Sequence, residues 1–299
     1  MALNREQPLT YLVTGGTGFI GRRLLALSEG DHVLAAGRSG LSIAGTTVDT
    51  STFDLADAEK YRHLFANHNP DVLVHLAWQG LPDYSAENSL YNLIVGLRLI
   101  DCATKEGVRR IVVAGSGWEY GTRNGPLRED DAPELPSVFA AHKLAQFNAA
   151  DALCRERGVE LVWLRIFFSY GPGQRQQSLV PSAVESLRRG EVPVLRTPGA
   201  LSDFIYVDDV ARAVRAVLQP GGPTGIINVG AGRATAAFEV ARLVAEVMGS
   251  KVRIPDAETI DGPWADTTRL RGEVGFTPRV SLESGIERTV RSILGDSHA

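Results

Sequence analysis

Thr14-Gly15-Gly16-Thr17-Gly18-Phe19-Ile20-Gly21 is the stretch that decides the fold. Before it, Leu9 to Val13 is a short apolar run that reads as a buried strand. After it, Phe19 to Leu27 spaces its apolar residues as a helix does. A strand that enters a helix through a glycine loop presents unpaired N–H groups and the positive end of the helix dipole. That is a cradle for a dinucleotide pyrophosphate. Gly15, Gly18 and Gly21 then have separate jobs: a tight turn, close backbone approach to phosphate, and close packing of helix on strand. The expected contacts are Gly15, Thr17, Gly18, Phe19, Ile20 and Gly21.

Outward from this loop, strand-like and helix-like segments alternate. Leu9–Val13, His32–Ala36, Val72–Leu76, Ile111–Ala114 and Leu161–Ile166 are short, apolar and rich in branched residues. Amphipathic stretches lie between them at 18–29, 57–66, 85–107 and 139–158. The alternation predicts right-handed βαβ crossovers. The fold class is therefore α/β: a Rossmann-type, doubly wound parallel sheet with a smaller C-terminal α/β substrate-binding lobe. Ligands of such sheets sit at the carboxyl ends of the strands, where strand order reverses. From Tyr170 onward, Gly171-Pro-Gly, Val192-Pro, Pro198-Gly and Pro220-Gly-Gly-Pro punctuate shorter elements. The expected division is a dinucleotide domain over 1–168 and an interleaved substrate lobe over 169–299. Ile205–Val207 and Ile226–Val229 read as strands returning to the main sheet, so 204–230 is assigned back to the first domain.

At 299 residues the chain can bury a large core, and 44% hydrophobic with 22% charged residues fits a soluble globular protein. A net charge of −4 with no basic block argues against a nucleic-acid binder. No apolar run approaches the roughly 20 residues of a membrane helix. The N-terminus lacks the apolar stretch of a signal peptide. Cys102 and Cys154 lack metal-ligand spacing and read as buried thiols in a reducing compartment. The expectations are a cytoplasmic location, no metal, no membrane and no nucleic acid.

Cofactor choice turns on the second strand. Dinucleotide sites that prefer NAD place an acid there to bond the ribose 2′-hydroxyl. This strand ends Ala36-Gly37-Arg38-Ser39, without one. Arg38 suits a bidentate contact with a 2′-phosphate, Ser39 adds a hydroxyl, and Arg22 stands close behind the third glycine. NADP(H) is favoured, with NAD as the second choice. Asp54 is placed to accept from the adenine amino group or to cap the next helix.

Motifs in a fixed order extend this reading: TGGTGFIG at 14–21, DL at 54–55, VHLAW at 74–78, AGSGWEYG at 114–121, FAAHK at 139–143, RIFFSYGPG at 165–173, DFIYVDDVARA at 203–213 and GFTPRVSLESGI at 275–286. Together they resemble the extended short-chain dehydrogenase/reductase family, in its nucleotide-sugar epimerase, dehydratase and ketoreductase branch. The resemblance implies cofactor contacts at Asp54, Leu55, Leu76, Ala77 and Lys143. It implies Ser116 as the hydroxyl after the fifth core strand and Lys143 as the ammonium holding the nicotinamide ribose. It also implies a homodimer, through pairing of the helices at 85–107 and 139–158.

The chain departs from the family at one decisive place. Position 139, one turn before Lys143 and on its face, is Phe where the family carries the proton-donating Tyr. Three readings follow. The sequence carries an engineered Tyr-to-Phe change; or another donor serves, with Ser116, Tyr120, His142 or a water as candidates; or the chain binds dinucleotide without catalysis. His142 lies about 60° off the face shared by 139 and 143, at roughly 100° per residue.

Family dehydratases carry acids directly after the Ser/Thr. Here Gly117 and Trp118 stand there, and Glu119 comes one residue late. A 4,6-dehydratase is therefore disfavoured. The leading reading is reduction of a nucleotide-linked keto-sugar, of 4-ketoreductase type; 4-epimerisation is the alternative. Substrate contacts are expected at Trp78, Gly117, Trp118, Phe168, Arg175 and Arg269, with Arg196 as a further cation. Asn92 is expected to bond backbone near the site, Ser202 replaces a family Arg, and Asp208 and Asp209 read as the cap of a helix from Val210. The loops at 80–90, 174–180 and 258–266 are expected to set the sugar.

Overall fold

The computed structural model describes residues 8–37, 48–52 and 54–295. In chain order its strands are β1 (Thr10–Thr14), β2 (His32–Gly37), β3 (Val48–Thr52), β4 (Val72–His75), β5 (Arg110–Ser116), β6 (Gly125–Leu127), β7 (Glu160–Ile166), β8 (Phe168–Tyr170), β9 (Leu201–Ser202), β10 (Phe204–Tyr206), β11 (Gly225–Val229), β12 (Thr235–Ala236) and β13 (Pro263–Ala265). Its helices are α1 (Gly21–Leu25), α2 (Ala58–His68), α3 (Ala86–Lys105), α4 (Val138–Arg157), α5 (Leu179–Arg188), α6 (Val207–Ala216), α7 (Ala237–Val247), α8 (Thr268–Gly272) and α9 (Leu282–Leu294).

Among the described residues, seven strands form one parallel sheet in the order β11-β7-β5-β4-β1-β2-β3. The chain winds one way from β1 to β3 and the other way from β4 onward. The crevice between β1 and β4 is thus the switch point where ligands of such sheets bind. Successive side chains of each strand enter opposite faces. Tyr11, Val13, Val74 and Val112 pack with Leu24 and Leu25 of α1 and Val210 and Val214 of α6. Leu12, Leu73, Ile111 and Val113 pack with Tyr61 and Phe65 of α2, Leu99 of α3 and Cys154 of α4. Both faces are covered, which is why these strands are continuous apolar runs. A third core unites Val184 of α5, Val240 and Val244 of α7, and Ile286 and Val290 of α9 into the smaller lobe.

The long helices start where side-chain oxygens cap free N–H groups. Ser85 accepts from the Asn88 N–H ahead of α3, and Ser137 accepts from the Ala140 N–H ahead of α4. Gly158, left-handed at φ 66°, closes α4.

Four expectations are corrected. The first helix, expected over 18–29, covers only Gly21–Leu25, because the chain turns through Ser28 and Gly30 (φ 87°) into β2. β3 has no counterpart in the apolar-run reading: Val48-Asp-Thr-Ser-Thr52 is polar and pairs only with β2 at the sheet edge. Of the two strands assigned back to the main sheet, Gly225–Val229 joins it beside β7, whereas Phe204–Tyr206 pairs with β8 outside it. Asp208 and Asp209 do not cap α6, which starts at Val207 without a side-chain cap. The buried Asp209 carboxylate instead accepts from the Arg279 and Val280 N–H groups at 3.0 and 2.8 Å and pairs with Arg212, while Asp208 faces Arg23 at 3.4 Å. No helix among the described residues is long and apolar enough to cross a membrane.

Candidate active site

A cleft of about 500 Å³ opens at the carboxyl ends of β1, β2 and β4. Gly15, Thr17, Gly18, Phe19, Ile20 and Gly21 line it, with Ala36, Gly37, Leu55, Leu76, Ala77 and Trp78. The smaller lobe adds Ser169, Gly173, Gln174, Arg175 and Ser178. The glycine loop fits a dinucleotide on steric grounds. Gly15 has φ 77°, and a Cβ there would lie 2.8 Å from the Ala77 nitrogen. A Cβ on Gly21 would lie 2.1 Å from the Gly15 carbonyl oxygen. Neither position admits a side chain, so backbone stays bare where phosphate approaches. Arg22 bonds back to the Gly18 and Thr17 carbonyls at 3.3 and 3.1 Å.

Asp54 does not cap α2; Asp57 does, accepting from the Lys60 N–H. The Asp54 carboxylate accepts from the Ala56 N–H (2.9 Å), Gln79 Nε2 (3.2 Å) and the Tyr91 hydroxyl (3.2 Å), beside Leu55 on the cleft wall. Asn92 takes the backbone role expected of it. Its Oδ1 accepts from the Gln79 N–H at 2.7 Å and its Nδ2 donates to the Gln79 carbonyl at 3.0 Å, fixing the loop after β4. Arg38 and Ser39 lie outside the described residues.

Ser116 and Lys143 both lie at the end of β5. Lys143 Nζ donates to the Ala114 carbonyl at 2.8 Å, and Ser116 ends the same strand two residues on. The Ser116 hydroxyl accepts from the Trp118 N–H at 3.2 Å. Burial lowers the Lys143 pKa to about 8, while the Glu119 charge pulls it back up. The Trp78 indole covers the ammonium, with its ring centroid 4.1 Å from Nζ.

Glu119 is fully buried. It accepts from the Ser116 N–H at 2.7 Å, from Trp163 Nε1 at 3.0 Å and from Arg165 Nε at 3.0 Å. The acid that stands one residue late in sequence is therefore a brace beneath Ser116, turned away from the cleft. Two donor candidates also leave the site. The Tyr120 hydroxyl donates to Asn228 Oδ1 at 2.7 Å in the interior, where burial pushes its pKa up to about 12. His142 Nδ1 lies 2.7 Å from the Val138 carbonyl of its own helix.

Phe139 is 7% exposed and sits within an aromatic cluster. Its ring meets Trp78, Tyr84 and Trp118 at centroid distances of 5.1, 5.2 and 5.8 Å, each near edge-on. Gly117 packs against the Phe167 ring, where a Cβ would lie 3.2 Å from it. Tyr84 is a member that motif reading missed. It falls within the 80–90 loop assigned to the sugar, but no motif marks it.

The remaining substrate expectations divide. Arg175 lines the cleft and donates to the Tyr84 hydroxyl at 3.4 Å. Arg196 is exposed. Phe168 packs on Phe204 at 5.0 Å, and its neighbour Ser169 faces the cleft instead. Arg269 is corrected. Its guanidinium is held by Glu273 and by the Thr224 and Ile226 carbonyls, at the amino end of β11 and the opposite rim of the sheet. Asp203, after Ser202, accepts from three backbone N–H groups, those of Ala231, Gly232 and Ala265.

A doubly wound sheet, a glycine loop closed to side chains, and a hydroxyl and an ammonium on one strand end define a dinucleotide-dependent enzyme of the extended short-chain reductase class. The model of the NAD dependent epimerase/dehydratase family matches residues 11–230, and the chain belongs to that family. It is similar to the dTDP-glucose 4,6-dehydratase of Streptomyces niveus (28% identical, covering 94% of this chain and 92% of that one). It is also similar to the dTDP-4-dehydro-6-deoxyglucose reductase of Escherichia coli (26% identical, covering 94% and 96%). Its fold matches the UDP-glucose 4-epimerase of Thermotoga maritima solved with UDP-glucose, with a TM-score of 0.85, 25% identity and coverage of 96% and 99%.

Proposed function

We propose that this chain reduces a nucleotide-linked keto-sugar with NADPH, as a 4-ketoreductase. One observation carries the choice. The described lining of the cleft holds one guanidinium, Arg175, and no carboxylate. β2 ends at Gly37 on that lining, and Arg38-Ser39 follow it in sequence. This supports a 2′-phosphate and a cofactor that exchanges after each turnover, rather than a tightly retained NAD.

The dinucleotide, when bound, supplies hydride to the carbonyl carbon. Ser116 donates to the carbonyl oxygen and favours the charge that develops there. Lys143 holds the nicotinamide ribose once the Trp78 indole yields its place over the ammonium. Glu119 fixes the Ser116 backbone. Trp78 and Trp118 give the sugar apolar faces to stack on, and Arg175 brings a cation to the substrate side of the cleft. The substrate lobe is drawn from residues 169–299, with α6 and β11 returning to the main sheet. Leu90, Tyr91 and Ile94 of α3 and Val138 of α4 are exposed apolar side chains, which supports a homodimer through these helices.

The test incubates purified protein with NADPH and with dTDP- and UDP-linked 4-keto-sugars, following cofactor and sugar together. One NADPH consumed per sugar supports the reading. Sugar turnover without net cofactor change favours the 4-epimerase, which the likeness to the Thermotoga maritima enzyme supports. No turnover by the chain or by Phe139→Tyr favours the inert dinucleotide binder. Turnover that rises by orders of magnitude with Phe139→Tyr points to an engineered Phe139. Arg38→Asp is expected to exchange the preference for NADP over NAD.

A further inference from the structure

We propose that Tyr84 supplies the proton that position 139 cannot, with Arg175 stabilising the oxygen it leaves behind. The inference rests on the reductase reading and names a catalytic group for it. Phe139 marks the spot where a phenol would meet the sugar oxygen, and its ring has no exchangeable proton. Tyr84 brings a phenol to that ring from the other side of the site, on the loop between β4 and α3. Its centroid lies 5.2 Å from Phe139 and 5.2 Å from Trp118. Trp78, Gln79 and Leu81 of the same loop line the cleft.

Among the described residues, no acceptor takes the Tyr84 proton. Arg175 is a donor only, so at 3.4 Å the Tyr84 oxygen acts as acceptor and its O–H remains free to donate. Three buried phenols are committed elsewhere. Tyr11 donates to Ser28, Tyr120 to Asn228, and Tyr170 to the Leu282 carbonyl. The Lys143 ammonium lies beneath the Trp78 indole and already donates to Ala114. Tyr84 therefore combines contact with Phe139, a free O–H and a cation beside its oxygen.

The step balances. Hydride adds to the sugar carbonyl carbon, the π pair moves to oxygen, and that oxygen takes the Tyr84 proton. The sugar gains two electrons, NADPH becomes NADP⁺, and the phenolate faces the Arg175 guanidinium until water reprotonates it. Ser116 holds the oxygen throughout.

The test uses Tyr84→Phe in the full chain, which removes one oxygen and keeps every ring contact. With a dTDP- or UDP-linked 4-keto-sugar that the parent reduces, kcat is expected to fall by about 100-fold or more, with KM and NADPH affinity within about twofold. Adding Phe139→Tyr to that variant is expected to restore at least about tenfold, because a phenol returns on the opposite wall. The second readout needs no turnover. 3-Fluorotyrosine at position 84 is expected to shift its fluorine resonance when the keto-sugar is added to the protein with NADP⁺. Tyr84→Phe turning over within about threefold of the parent, or an unmoved resonance at saturating sugar, overturns the proposal while leaving the reductase reading intact. If neither the parent nor Phe139→Tyr reduces any keto-sugar, the reductase reading itself falls, and Tyr84 falls with it.

Discussion

Lys143→Met should reveal how much stability the fold gives up to hold an ammonium at the end of β5. Lys143 is 5% exposed, donates to one carbonyl and lies under an indole. Burial lowers its pKa from 10.5 to about 8, against an opposing pull from Glu119. The native protein therefore releases this proton near pH 8, whereas the unfolded chain keeps it to 10.5. Between those values the unfolded state binds more protons, so stability rises with pH. At roughly 1.4 kcal/mol per pKa unit, the charged form costs the fold about 3 kcal/mol at neutral pH, and the cost vanishes as pH passes the unfolded value. Met keeps similar length without a titrating group. Urea unfolding of both proteins across this range isolates the site, because subtracting the variant cancels the titrations that the two proteins share. Lys143→Met is expected to gain on the parent at about pH 7, and the parent to recover about 3 kcal/mol relative to it by about pH 10.5. Two curves that run parallel across that window would refute the reasoning.

Other outcomes test separate parts of the molecule. Gly15→Ala must hold φ near 77° and set a Cβ 2.8 Å from the Ala77 nitrogen, so it should cost about 1–3 kcal/mol in thermal or urea unfolding. NADPH affinity, measured by fluorescence titration, should fall with it by about tenfold or more. Glu119→Ala leaves the buried Arg165 guanidinium and the Trp163 N–H without their acceptor and should cost about 3–5 kcal/mol in urea unfolding. Ile94→Asp, on an exposed part of α3, should halve the mass measured by light scattering and leave the secondary structure unchanged.

The reach of the sequence is clearest in the sheet. Tyr11–Val13, Val72–Val74, Ile111–Val113 and Leu161–Leu164 had to be apolar on both faces because helices cover both sides, and that requirement is legible residue by residue. The edge strand Val48–Thr52 escaped because an edge strand needs no apolar run, only backbone pairing. The glycine loop was equally plain, since Gly15 takes φ 77° and a Cβ on Gly21 would meet the Gly15 carbonyl within the loop itself.

The site divides along the same line. Ser116, Lys143 and the missing phenol at 139 are placed by one strand end and one helix face, whose periodicity a sequence carries. Where long side chains point is another matter. Glu119 turned inward because Trp163 and Arg165 of the neighbouring strand supply donors there. Arg269 went to the far rim because Glu273, one turn on, and the start of β11 hold it. Tyr84 reached Phe139 because the loop after β4 is tied down by Asn92. The sequence by itself determined the inner strands of the sheet and the glycine loop, since both follow from short-range periodicity and backbone sterics. Only the tertiary structure decided which phenol stands beside Phe139 and which cations reach the cleft, because those depend on partners far away along the chain.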